Sequence, residues 1–591
     1  MQNKFQINIK TLWQLVKQNK KQLFLGQIIT LVAIIISIPI PLMLPVLVDE
    51  VLLDKPAFFV SSIDQFFGSG SAFYYIVLVA FGVILLRFIY FVLNVVLTKI
   101  FTIISKEVIY KIRLEIIEYL KKVSMNEYES LGSGTIGANL ITDVNTLDTF
   151  IINSASKLLS SLLTLIAIAI VLLWIHPILG ILILVLQPLI MIVSKKISKK
   201  VGILKSNENK AIEVFQENIG EVLELYPQIK ASNKEVKFFD ESITKAKAIK
   251  ETSNEYGYKS VAAERFSYTL FLTVFEVIRA SGLLLVAYGD LSIGMMFAMF
   301  GYIWFIMTPI QDLLSMQYSY ASAKAAMERL NKIFDLKIEP NGISILDTDS
   351  KLDINIKNLS FGYKEDKLIL KDISIDIKHK EKIALIGASG SGKTTLAQLI
   401  AGFYTKSSGD IKYNTIPIED LNRSSVRDNI FLVLQMPILF NNTMRFNITM
   451  GDNSICDEEI LKALEIAQMS EVLEGMSEGL DTVVGRHGIR LSGGQRQRLS
   501  IARMVIANPS VVIFDESTSA LDVHVEAKIF ETLESILENK TVITIAHRLS
   551  TVKNASKVYV LDEGKIVQSG THSELEDEIG HYQEFVKKQL V

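Results

Sequence analysis

Residues 387–394 read Gly387-Ala388-Ser389-Gly390-Ser391-Gly392-Lys393-Thr394, with Thr395 next. They follow Lys382–Ile386, which reads as a strand, and precede the helical run Thr395–Ala401. This is the G-x-x-x-x-G-K-[ST] pattern in the place it requires, after a strand and before a helix. Glycines let backbone N–H groups close around phosphate oxygens at a helix N-terminus, where the dipole also favours anions. In that setting Lys393 reaches the β- and γ-phosphates of a nucleotide and the Thr394 hydroxyl ligates Mg²⁺.

A second element supports the first. Val511–Phe514 has the pattern of a fully buried strand and ends in Asp515-Glu516. An acid at the carboxyl end of a strand beside a phosphate loop can hold Mg²⁺, and its neighbour can polarise an attacking water. Between the two lies Leu491-Ser492-Gly493-Gly494-Gln495, followed by Arg496-Gln497-Arg498. A Ser-Gly-Gly opening a helix is another anion-binding N-terminus. One phosphate group does not need two cradles from one domain. The second therefore serves another nucleotide, and the chain is expected to work as a pair.

Upstream of about Lys351 the character changes. Of 591 residues, 49% are hydrophobic and 21% charged, and the mean hydropathy is +0.33. That is too apolar for an ordinary soluble enzyme. The near balance of 61 Lys+Arg against 63 Asp+Glu gives no footprint for nucleic acid. With Cys456 as the one cysteine, this chain alone forms no disulfide, all-cysteine zinc site or iron–sulfur cluster.

Six apolar stretches carry the greasiness: Gln22–Val48, Phe73–Thr98, Leu158–Ile175, Ile178–Ser194, Phe266–Tyr288 and Leu291–Gln311. Each is about the 17–25 residues a helix needs to cross the hydrocarbon core. The first is longer than a signal h-region, holds Pro39, Pro41 and Pro45 and lacks a small-residue cleavage site, so it reads as a span. Arg87, Glu276 and Arg279 fall near mid-depth, where a charge faces protein, water or cargo. Glu276 and Arg279 can also satisfy each other along one helix face. Met295, Met296, Met299 and Met307 suit either an adaptable cavity or ordinary packing.

Lysines and arginines cluster before the first span, after the second and after the fourth, while the Asp49–Ala72 loop is acidic. Both termini are therefore expected in the cytoplasm. The second span continues as an amphipathic helix through Lys122, a Gly132-Ser133-Gly134 break follows, and Lys195–Arg265 repeats the theme with an interruption at Tyr226-Pro227. The expected division is a cytoplasmic segment over 1–21, a membrane domain over 22–335, a linker over 336–352 and a nucleotide domain over 353–591.

Together these residues resemble the exporter-type ATP-binding cassette (ABC) transporters, as a half-transporter with membrane and nucleotide domains fused. The resemblance covers nearly the whole chain. It implies a multi-domain membrane protein: an all-α six-helix transmembrane domain like that of type I exporters, then an α/β P-loop NTPase domain. Gly387–Thr394 matches Walker A and Val511–Asp515 Walker B, while Leu491–Gln495 is the family signature. Ser519-Ala520-Leu521-Asp522 resembles the D-loop, Gln435 sits where the Q-loop glutamine is expected, and His547 in Ala546-His547-Arg548 matches the switch histidine. Tyr363 in Phe361-Gly362-Tyr363 matches the adenine-stacking aromatic, and the tips around Gly137–Leu147 and Gln216–Lys230 resemble coupling helices.

The resemblance implies two identical chains sandwiching two ATP molecules, each between one chain's Walker A and the other's Ser492–Gln495. Glu516 is then the general base, His547 contacts the γ-phosphate, Gln435 senses Mg²⁺ beside Thr394 and Asp515, and Asp522 belongs to the nucleotide site. The cargo is hydrophobic or amphipathic (drug, lipid or peptide), and the Lys- and Ile-rich usage points to a bacterial inner membrane. A leader-cleaving peptidase is not expected, because the only cysteine is Cys456. Same-fold import, or an ATP-gated channel or regulator, stay open beside export. One departure stands out: Gly485-Arg486-His487-Gly488 carries a base where the family commonly has an acid, which points to a partner contact rewired towards Glu221 or Glu224.

Overall fold

The computed structural model describes residues 5–55, 58–347, 351–364, 367–434, 437–485, 488–489, 491–515, 523–546 and 549–590. The chain divides into two compact units. The first runs from the N-terminus through Ile117 and resumes over Gly137–Phe334; the second joins Glu118–Ile136 to the residues from Asp335 onward.

The first unit is helical. An amphipathic helix α1 (Ile9–Gln18) is capped by Asn8, whose side chain accepts from the Thr11 N–H, and buries Leu12 and Val16. The first span begins as α2 (Lys20–Ser37). Beyond Ser37 it is broken into a 3₁₀ turn at Ile40–Leu42, one α-turn at Met43–Pro45 and a wide π-turn at Val46–Leu52. Pro39, Pro41 and Pro45 explain this, since each lacks an N–H and crowds the preceding turn.

The other spans are long: α3 (Ala72–Leu120), the helix that becomes α5 (Val144–Ile175) after the short helix α4 (Met125–Leu131), α6 (Pro177–Glu224) leading to α7 (Tyr226–Ala231), α8 (Glu235–Ala287) and α9 (Ile293–Asp335). At 1.5 Å per residue, α3 with 49 residues exceeds twice the roughly 30 Å hydrocarbon thickness. The predicted amphipathic continuation is therefore one unbroken helix. Among the described residues six helices are long and apolar enough to cross a membrane.

Packing resolves two readings left open by the sequence. Met296 and Met299 are buried in the helical core with Ile183, Phe271 and Ile303, and Met295 packs against it, whereas Met307 also lines a cavity with Gln187 and Phe271. Glu276 and Arg279 pair with each other at 2.5 Å. Arg87 is exposed on α3.

The expected helical tips need one correction. The turn after α3 is α4, ten or so residues before the expected Gly137–Leu147. It starts at Ser124 and stops at Gly132, whose φ of +77° an L side chain resists. Residues 137–147 instead belong to the returning helix, where Asn139, Asp143, Val144 and Leu147 are buried. Arg329 clamps Asp143 from α9, with Nε at 3.1 and 3.0 Å from the two carboxylate oxygens. The second tip, α7, lies inside the expected Gln216–Lys230 window except for Ala231, and Pro227 supplies its first turn.

The second unit holds a four-stranded antiparallel sheet and a six-stranded, mostly parallel one. Strands β1 (Ile354–Phe361), β2 (Leu370–Ile377), β4 (Ser408–Tyr413) and β5 (Ile416–Pro417) form the first, in the order β2-β1-β4-β5. The second is built from β3 (Lys382–Gly387), β6 (Ile430–Val433), β7 (Val511–Asp515), β8 (Thr541–Ile545), β9 (Lys557–Asp562) and β10 (Lys565–Gly570), in the order β10-β9-β3-β8-β7-β6. Its central strands read as continuous apolar runs because both faces are covered. Helix α10 (Lys393–Ile400) packs Leu396 and Leu399 into the core between the sheets. Helices α11 (Met444–Thr449), α12 (Asp457–Ile466) and α13 (Gly493–Ala507) form a second core with Ile460, Leu464, Leu499 and Phe514.

Candidate functional site

Strand β3 sits between β8 and β9, both parallel to it. The loop leaving its carboxyl end therefore emerges where the sheet order switches direction, the usual ligand position in open α/β sheets. The loop bends through Gly387 at φ +149°, Gly390 at +81° and Gly392 at +102°. A Cβ on Gly387 would stand 2.0 Å from the Leu561 carbonyl oxygen, and one on Gly392 would stand 2.7 Å from Leu370 Cδ2. Backbone and sheet approach so closely there that only hydrogen fits.

Within the cradle Lys393 is buried and donates from Nζ to the carbonyls of Gly387 and Ala388, both at 2.9 Å. The Ser391 hydroxyl is buried without a hydrogen-bond partner among the described residues. Ala388 and Ser389 complete the loop between these glycines. The Thr394 hydroxyl, with Thr395 beside it in the first turn of α10, donates to Asp515 Oδ1 at 3.1 Å. Asp515 closes β7, is 3% exposed and lies beside Ile545 of β8 in register. A glycine cradle, a buried lysine, an unpartnered hydroxyl and a hydroxyl–carboxylate pair fit a triphosphate with Mg²⁺.

Tyr363 stands next to α10. Its hydroxyl lies 3.1 Å from Thr395 Oγ1 and 3.4 Å from Gln398 Oε1, and its ring meets Phe361 and Tyr404 edge-on. Sequence reading missed what lies behind it. Tyr404 donates to Glu129 of α4, and Asn126 of α4 donates to the Tyr363 carbonyl at 3.4 Å. Burial first, then the Glu129 carboxylate, push the Tyr404 phenol well above its ordinary range. A signal for α4 was present: Ser124-x-x-Glu127 followed by Gly132 is a helix start and stop.

The signature is built separately. Ser492 opens α13 as a capping box, with Oγ accepting from the Gln495 N–H at 3.2 Å and Gln495 Oε1 accepting from the Ser492 N–H at 2.8 Å. Gly493 has open space where a Cβ would stand, and Gly494 follows in the first turn. Arg503 anchors the helix, donating from Nε to the Asn447 carbonyl at 2.5 Å. Among the described residues no hydrogen bond joins Ser492–Gln495 to the phosphate loop. Glu516, His547, Gln435, Asp522 and Arg486 lie outside the described residues.

Comparison with known proteins agrees with this architecture. Residues 370–519 match the family described as ABC transporter, and residues 23–310 match the ABC transporter transmembrane region. The chain is 37% identical over 321 residues to the uncharacterized ABC transporter ATP-binding protein YwjA of Bacillus subtilis, covering 54% of this chain and 55% of that one. It is 29% identical over 494 residues to the ATP-binding/permease protein YgaD of the same organism, covering 81% and 83%. An ATP-dependent lipid A-core flippase of Legionella pneumophila is 39% identical over 284 residues, 48% of each chain. The match thus spans about half the length of YwjA and of the flippase. The solved structure of a bacterial Atm1-family ABC exporter with ATP bound shares the fold, with a TM-score of 0.78, 22% identity and 99% coverage of both chains. With both matched regions carried on one polypeptide, the chain belongs to the ABC transporter family.

Proposed function

We propose that this chain is an ATP-hydrolysing exporter. Two copies would move hydrophobic or amphipathic compounds (drug, lipid or peptide) across a bacterial cytoplasmic membrane by alternating access, with both termini in the cytoplasm. The observation that carries the reading is the Thr394–Asp515 contact at the mouth of a glycine cradle, in a chain that also holds six membrane-length apolar helices.

In this reading the loop N–H groups and Lys393 bind the phosphates, and Tyr363 stacks on adenine. Thr394, Asp515 and Gln435 would hold Mg²⁺, which when bound neutralises charge on the phosphate oxygens. Glu516, directly after Asp515, takes the proton from the attacking water, and His547 contacts the γ-phosphate. Ser492–Gln495 of a second copy, with Asp522, complete the site. Such chemistry is mostly positioning and electrostatics.

Glu516→Gln tests it. Turnover should fall by about a hundredfold or more with nucleotide binding retained, whereas Lys393→Ala should weaken binding itself. Normal hydrolysis in the Glu516 variant would remove that residue as the base. Direction is read from ATP-driven uptake into inside-out against right-side-out vesicles, and cargo-stimulated turnover separates a transporter from a gated channel.

A further inference from the structure

Inside the helical unit a cavity of about 440 Å³ opens between α2, α3, α5 and α9. Its wall is unusually polar for apolar helices. Thr30 comes from α2, Asn94 and Thr98 from α3, Ser161 and Thr164 from α5, and Thr308 from α9. Ser161 is 3% exposed. Pro309, on the same wall, gives no N–H to the Phe305 carbonyl, so a further acceptor opens there. Thr30, Asn94 and Thr98 donate to carbonyls of their own helices at 2.8, 2.9 and 2.8 Å, and their side-chain oxygens keep lone pairs that can accept from a polar guest.

At one end stands an ion pair that the span assignments passed over. Lys157 Nζ lies 2.9 Å from Asp312 Oδ1, and the side chains are 44% and 23% exposed. Lys157 sits one residue before the third apolar stretch and Asp312 one residue after the sixth. Both therefore mark the cytoplasmic margin of the membrane. Each has hydrogen-bonding capacity beyond the pair: Lys157 has further N–H donors and Asp312 a second oxygen. Trp304 and Phe305 line the same cavity, offering ring faces to a cation and apolar surface to a tail.

We infer that this chamber binds the zwitterionic head of an amphipathic molecule. A primary ammonium would meet Asp312 and an anionic oxygen group Lys157, with the remaining polar atoms satisfied by the hydroxyl-rich wall. A lone anion or cation would match one charge and leave the other unmet. The inference rests on the exporter reading and names a cargo chemistry for it. Two sources share that chemistry: an aminophospholipid of the cytoplasmic leaflet, and a free zwitterionic peptide.

The sequence contains three tryptophans, so Trp13→Phe with Trp174→Phe leaves Trp304 as the reporter in the full chain. In detergent without nucleotide, lysophosphatidylethanolamine should shift Trp304 emission saturably. Its midpoint should lie at least about tenfold below that of lysophosphatidylglycerol with the same acyl chain. The dipeptide Phe-Leu is the water-borne arm, and a midpoint below that of lysophosphatidylglycerol for either zwitterion supports the site and identifies the source. Lys157→Gln and Asp312→Asn should each raise the zwitterion midpoint about tenfold, and the reversed pair Lys157→Asp/Asp312→Lys should restore most of it.

Equal midpoints for the zwitterions and the anionic lipid overturn the proposal without any charge variant having to fold. Monodisperse single variants that bind as the parent does overturn it as well. Because no ATP is used, failure here leaves the exporter reading to stand or fall on turnover.

Discussion

The Tyr404 hydroxyl donates to the Glu129 carboxylate, 3.0 and 3.1 Å from its two oxygens. Tyr404 directly follows the turn after α10, and its ring meets Tyr363 at a centroid distance of 5.3 Å. The tip helix α4 is thus tied to the aromatic cluster beside the glycine cradle. Further ties run alongside, since the Ser124 N–H donates to the Lys337 carbonyl and the Glu339 N–H to that of Lys122.

That contact is testable by a double-variant cycle. Tyr404→Phe and Glu129→Met should each lower stability by about 1 kcal/mol, read as a drop of a few degrees in the thermal midpoint of the micellar chain. The double variant should be no worse than the poorer single variant, because both remove one interaction. Additive losses would show that the two groups act independently.

The glycines of the cradle should differ in a fixed order. Gly387→Ala places a methyl against a main-chain carbonyl at 2.0 Å, which neither strand can yield without breaking the β3–β9 pairing. Gly390→Ala meets nothing within 4 Å and costs only the left-handed backbone, about 1–2 kcal/mol. Gly392→Ala falls between, since its obstacle is a leucine methyl. Thermal unfolding with and without ATP should rank them Gly390 least and Gly387 most damaging.

Much of the site was legible because phosphate chemistry demands backbone: glycines, a lysine and a hydroxyl at fixed spacing leave few alternatives. The strand-end acid was equally plain, because Val511–Phe514 can only be a strand buried on both faces. What escaped were partners brought together by tertiary packing. Glu129 and Tyr404 are 275 positions apart, and neither carries a local pattern. Lys157 and Asp312 were missed because hydropathy defines spans by the absence of charge, so the cavity's ion pair fell just outside both edges. The tip falls before the Gly132–Gly134 break rather than at Gly137–Leu147, because Gly132 ends a short helix too brief to show a periodic pattern in the sequence.

Arg329 and Asp143 bind the returning helix to α9. Asp143 has 6% of its side chain exposed, and the Arg329 guanidinium, half exposed, reaches both oxygens. Arg329→Met would strand a buried carboxylate and should cost about 1–3 kcal/mol, less than a fully buried pair because Arg329 faces solvent. Arg329→Lys should recover part of this, as an ammonium cannot reproduce the two-oxygen geometry. Asp143→Asn with Arg329→Met should be milder than Arg329→Met alone, and thermal unfolding measures all three.

The separation of the signature from the phosphate loop within one chain leads to the last prediction. Ser492–Gln495 caps its own helix, and among the described residues it makes no hydrogen bond to the cradle. If two copies complete each other's sites, Lys393→Ala and Gly493→Asp should each abolish turnover in pure form. Co-reconstituted in equal amounts, they should regain it. Half of the dimers would be mixed, and each mixed dimer would hold one intact cradle facing one intact signature, giving about a quarter of the parent rate for independent sites of a symmetric pair. A site formed within a single chain would give no recovery at any mixing ratio.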